Sequence, residues 1–175
     1  MGGTTGMNSV RWTLLFALLA PGVVLAQVPQ RTTATFEDWT VRCEMPAANP
    51  QQKSCEMVQT TQVPGQPNPV TQIAIGRIAK GAPLKIVFQV PINVWLPGGV
   101  RLIYADKEQP LATTFQRCVP AGCFAEAELK DDLARKLRTL TENGKLEFKD
   151  ANQRDASLPV SFKGFAGAYD TMTKE

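Results

Sequence analysis

Four cysteines and no histidine, behind an apolar leader, constrain this 175-residue chain more than anything else in it. A leader of that kind sends a protein to where thiols oxidise, so the cysteines read as staples. The lack of histidine removes the commonest general base and the commonest neutral metal ligand. Ser-His-Asp and Cys-His arrangements therefore cannot be built within the chain.

Arg11 is the only charge ahead of the apolar run Trp12 to Ala26. Pro21-Gly22 breaks that run, and Val24-Leu25-Ala26 places small or medium side chains before a cut at Gln27. The run is shorter than the roughly 20 apolar residues of a spanning helix. Residues 1–26 thus read as a signal peptide, 27–35 as a flexible mature N-terminus and 36–175 as one domain. No membrane span is expected after cleavage. Losing Arg11 lowers the formal charge from +3 to +2, too small a bias to argue for nucleic acid or an acidic membrane.

Four cysteines allow three pairings, and sequence alone does not choose among them. Geometry favours local pairing. Cys118-Val-Pro-Ala-Gly-Cys123 contains a turn that folds the chain back on itself, and Cys43 and Cys55 flank a Pro/Asn/Gln-rich stretch, Met45 to Lys53, that reads as a hairpin loop. On the chain-entropy account the longer loop contributes about 3 kcal/mol and the shorter about 2 kcal/mol. A Cys₄ zinc site prefers short C-x₂₋₄-C knuckles, which only the second pair matches. A thioredoxin-like site needs C-x-x-C at a helix start. Structural disulfides are the reading adopted for Cys43, Cys55, Cys118 and Cys123.

Most of the chain alternates with a period of two. Trp39, Val41 and Cys43 share one strand face, and Ile73, Ile75 and Arg77 share another. Leu84, Ile86, Phe88 and Val90 mark the clearest strand. Val100, Leu102 and Tyr104 lead through a turn at Asp106 to Pro110 into a return strand, Leu111 to Cys118. Short strands follow at Leu146–Phe148 and Leu158–Phe162. The period changes once: Ala125, Leu129, Leu133, Leu137 and Leu140 recur at helical spacing, with acids leading and bases trailing. These signals predict a mostly β, β-sandwich-like single domain with one amphipathic α-helix, about 125–141, ended by Asn143-Gly144. Phe165, Tyr169 and Met172 predict a short C-terminal helical turn.

Trp39-Thr40-Val41-Arg42-Cys43, then Cys55, then Cys118-Val119-Pro120-Ala121-Gly122-Cys123, and finally Ser161-Phe162-Lys163-Gly164-Phe165-Ala166-Gly167-Ala168 form an ordered set. Each piece is weak alone, but their order and spacing resemble the invasion-associated locus B family from about Phe36 to Asp170. The resemblance implies an exported bacterial protein of the periplasm, outer-membrane-associated or secreted, with a β-rich fold. It implies an association, in pathogenic members, with invasion of host cells, notably red cells. It transfers no catalytic residue.

The carboxylates give no reaction either. Asp131 and Asp132 sit on the exposed side of the expected helix, Glu37 and Asp38 at a strand start, and Asp106-Lys107-Glu108 in a turn. Lys130, Arg135, Lys136 and Arg138 offer a basic patch that interleaved acids dilute. The Pro/Gly-framed stretch with Ile92, Val94, Trp95 and Leu96 is the candidate partner-binding surface; the alternative is a buried clasp on the core. No catalytic residue, metal or cofactor is assigned. The function expected is a non-enzymatic binding module for a protein or envelope component, with the oligomeric state open. The rival readings are a hydrolase, which needs two carboxylates about 5–10 Å apart in one cleft, and a thiol–disulfide protein using Cys118 and Cys123.

Overall fold

The structure, a computed structural model, describes residues 1–3, 31–45, 53–79 and 81–174. Residues 4–30, which hold all but the first three residues of the expected signal peptide, and most of the Met45 to Lys53 loop lie outside the described residues. In chain order the strands are β1 (Arg31–Phe36), β2 (Trp39–Glu44), β3 (Ser54–Thr61), β4 (Thr71–Gly76), β5 (Lys85–Val90), β6 (Val100–Ile103), β7 (Leu111–Thr113), β8 (Phe115–Val119), β9 (Gly122–Glu128), β10 (Gly144–Lys149) and β11 (Asp155–Val160). Two helices join them, α1 (Asp131–Leu137) and α2 (Phe165–Thr173).

The strands form two antiparallel sheets. The larger has the order β1-β2-β3-β4-β5-β9-β8, the smaller β11-β10-β6-β7. The alternation in sequence decides which face of each strand is buried. Trp39, Val41 and Cys43 point inward from β2, while Thr40 and Arg42 are half-buried on the outer face and Glu44 is exposed there. Ile73 and Ile75, then Ile86, Phe88 and Val90, extend the same inner surface. Val100, Leu102, Leu146, Phe148 and Val160 from the smaller sheet join them in one continuous core. Helix α2 covers the rest of the inner face, against β1, β2 and β3. This is a β-sandwich-like domain with two helices.

Three local expectations need correction. The helix expected over 125–141 exists only from Asp131 to Leu137. Its first residues lie in β9, where Cys123 and Ala125 are buried and Ala127 is half-buried. A spacing of four satisfies both periods, and pairing with β5 from Val90↔Cys123 to Lys85↔Glu128 decides for the strand. The helix also ends before Asn143-Gly144, since Gly144 begins β10. The return strand from Leu111 to Cys118 is interrupted at Thr114: β7 pairs with β6, whereas β8 pairs with β9 in the other sheet. Finally, Arg31 to Thr35, expected to be flexible, form β1 and pair with β2 in full register.

Both cysteine pairs are cross-strand neighbours. Cys43 stands opposite Cys55 and Cys118 opposite Cys123, and each pair is bonded. The second bridge closes the β8–β9 hairpin over five residues of separation. Replacing Cys118 and Cys123 together by alanine is expected to lower stability by about 2 kcal/mol. The midpoint of urea unfolding under non-reducing conditions reads that change. Fast hydrogen exchange at Val119 to Gly122 is expected to accompany it.

A candidate contact surface at the Pro91–Gly99 connection

β5 stops at Val90 because Pro91 has no N–H to continue the ladder. The connection that follows is pinned at several points. Asn93 adopts a left-handed φ of 67°, a conformation asparagine tolerates better than most side chains. Val94 bridges to Asp150 at the end of β10, and the Trp95 N–H donates to the Lys149 carbonyl at 2.9 Å. Leu96–Gly98 form one 3₁₀ turn with Pro97 inside it. Gly99, at φ 61°, approaches β7 so closely that a Cβ would lie 2.3 Å from the Thr113 carbonyl oxygen.

This pinning divides the four residues singled out from sequence. Val94 packs on the core, and Trp95 is half-buried with its ring against Gly98. Val94 is therefore the clasp on the core, while Trp95 packs within its own turn. Ile92 and Leu96 remain 50% and 51% exposed. A third apolar side chain, Val119, is 40% exposed at the tip of the β8–β9 hairpin. The registers bring that tip to the same end of the sheet: Val119 stands opposite Gly122, and Cys123 stands opposite Val90. Gln89 Nε2 donates to the Ala121 carbonyl at 2.7 Å and holds the tip there. Sequence reading missed Val119, because nothing local to it states which strand β9 will join.

The turn under the loop is held by charge. Asp150 Oδ1 accepts from the backbone N–H groups of Asn152 and Arg154, and Oδ2 accepts from Arg154 Nε at 2.8 Å. The Arg154 side chain first, then these backbone donors, keep the Asp150 carboxyl below its ordinary pKa. It stays ionised near neutrality, with the turn beneath Val94 closed.

The charged residues noted in the sequence are dispersed. Lys136 Nζ donates to Glu108 Oε2 at 2.7 Å, an interaction that raises the Lys136 pKa. Arg138 donates to Asp170 and lies over the Tyr169 ring. Two of the four basic residues, Lys136 and Arg138, are thus paired to acids, as expected of a diluted, solvated face. Asp131 and Asp132 occupy the first turn of α1, while Glu37 and Asp38 form the exposed β1–β2 turn. A groove of about 370 Å³ crosses the outer face of the larger sheet. Of its three acids, Glu56 and Glu126 are paired to Arg42 and Lys85 at 3.0 and 2.7 Å, and Glu44 to Arg31. Among the described residues, no group of three acidic, cysteine or histidine side chains is placed to hold a metal ion. No helix among them is long and apolar enough to cross a membrane.

Comparison with known proteins agrees with this architecture. The crystal structure of invasion associated protein B from Bartonella henselae is similar, with a TM-score of 0.69 at 22% sequence identity. The match covers 82% of this chain and 95% of that one. At that identity it speaks for the fold. Comparison with curated proteins returns no match. The family profile described as invasion associated locus B (IalB) protein matches residues 39–173, from the core tryptophan of β2 to the last residue of α2. The chain belongs to the invasion associated locus B family.

Proposed function

We propose that this protein is exported, keeps both cysteine pairs oxidised outside the cytoplasm, and acts as a non-enzymatic contact module for a protein of the bacterial envelope. One observation carries the reading: Ile92 and Leu96 stand half-exposed on a loop whose backbone is fixed from both sides. An apolar side chain held out on a rigid loop loses little conformational freedom on binding, so more of its burial energy appears as affinity. Val119, exposed at the same end of the sheet, offers a third apolar side chain, and the Cys118–Cys123 bridge closes the hairpin that carries it. In pathogenic members the same kind of contact would serve host-cell invasion, the role in the family's name.

The test uses the oxidised protein immobilised against an envelope extract, followed by reconstitution with the purified captured component. The double variant Ile92→Asp/Leu96→Asp is expected to retain that component at least tenfold less well with an unchanged melting temperature. Trp95→Ala weakens binding and stability together, because the indole packs within the loop's own turn. Equal capture by wild type and the double variant would remove this surface from the function.

A further inference from the structure

The four sheet edges are not equally guarded. Among the described strands, β8 has a break in register between Phe115 and Arg117, β11 contains Pro159, and β7 is three residues long. Each device discourages a further strand. β1 has none of them: Arg-Thr-Thr-Ala-Thr-Phe runs six residues in full register with β2 and lies at the end of the larger sheet.

The direction of its free groups follows from the disulfide nearby. Opposed residues in an antiparallel pair alternate between hydrogen-bonded pairs, about 5.5 Å apart at Cα, and non-bonded pairs, about 4.5 Å apart. Cys43 and Cys55 are 4.1 Å apart, so Cys43 aims its N–H and C=O toward β1, where it faces Thr32. Thr32, Ala34 and Phe36 therefore bond to β2. Arg31, Thr33 and Thr35 aim their backbone groups off the sheet.

We infer that β1 pairs with β1 of a second copy of this chain, antiparallel about a two-fold axis at Thr33. In that register Thr33 faces Thr33, Arg31 faces Thr35, and about six backbone hydrogen bonds form. Like residues do not clash, and threonine pairs favour the ladder. Charge decides for a second copy. Glu37 and Asp38 form the β1–β2 turn just beyond Thr35, so their carboxylates lie at the strand end where the opposing Arg31 arrives. Arg31 already holds Glu44 in its own chain, and both Glu37 and Asp38 are exposed. Each Arg31 thus sits among carboxylates of both copies.

Sedimentation equilibrium of the oxidised protein, expressed from the full chain, tests this. A reversible dimer is expected, with association at least tenfold weaker in Thr33→Pro at an unchanged melting temperature. The proline removes only an outward donor. Thr33→Cys is expected to give a covalent dimer on mild oxidation, since its counterpart lies directly opposite. Thr35→Cys is not, because its counterpart lies more than about 13 Å along the strand. The cysteine pair decides by itself if Thr33→Pro fails to fold. A monomer at every concentration, a dimer indifferent to Thr33→Pro, or equal cross-linking at both positions would overturn the inference.

Discussion

Replacing Gly164 by alanine is expected to lower stability by at least about 3 kcal/mol, the sum of a left-handed backbone penalty and a forced backbone shift. Gly164 stands just before α2 at φ 79°, ψ −5°. An L-residue there costs about 1–2 kcal/mol before any contact is counted. A Cβ would also lie 2.0 Å from the Phe36 carbonyl oxygen and 2.6 Å from its carbon. Both obstacles are backbone, so no rotamer change relieves them. The β1–β2 turn cannot easily retreat, because Glu37 is itself held at φ 50°. The remaining escape is to lift α2, which would unseat the buried Phe165, Ala168 and Met172. Gly167→Ala is the internal control. Its Cβ would lie 2.9 Å from Phe36 Cδ1, a side-chain atom, so a shift of the ring and no backbone movement is required. Urea unfolding followed by tryptophan fluorescence separates the two variants. A Gly164→Ala loss below about 1 kcal/mol, small against the roughly 5–15 kcal/mol of an ordinary domain, would show that the contact yields freely.

The glycine also shows how much a linear reading holds. That Gly164 allows a close approach of backbone is legible from its place ahead of an apolar helical triplet. The surface it approaches is not, because Phe36 is distant in sequence. The same divide runs through the fold. Trp39, Ile73 and Phe88 face inward as their alternation dictates, since a one-residue slip would turn each strand inside out. Ala125 was misread, because an Ala/Glu alternation ending at Leu129 fits helix and strand alike until β5 is known to lie beside it. The break at Thr114 has no local signal of its own. The contact surface divides likewise: an apolar loop framed by proline and glycine is visible in sequence, yet pairing with Asp150 decides that Val94 turns inward while Ile92 stays out.

Trp39→Ala is expected to cost about 3–5 kcal/mol, the range for deleting a fully buried large aromatic. The indole is 1% exposed and meets the Phe165 ring edge-on at a centroid distance of 5.1 Å. It therefore joins β2 to α2. Its Nε1 donates to the Ser161 carbonyl at 2.9 Å, tying the larger sheet to the segment just after β11. Trp39→Phe separates packing from hydrogen bonding. Ser161 O also accepts from Gln59 Nε2 at 2.7 Å, so losing the indole donor leaves no orphaned acceptor. The phenylalanine variant should lose only about 1 kcal/mol for the bond plus a small cavity term. Gln59→Leu in the Trp39→Phe background removes the second donor and strands that carbonyl. It also strands the Ser161 N–H, which Gln59 Oε1 accepts at 3.0 Å. The double variant is therefore expected to lose more than the two singles added together. Guanidinium unfolding of the four proteins, followed by circular dichroism to avoid the altered fluorophore, measures the coupling. Strict additivity would mean that Trp39 acts through packing alone and that Ser161 is held in place by other contacts.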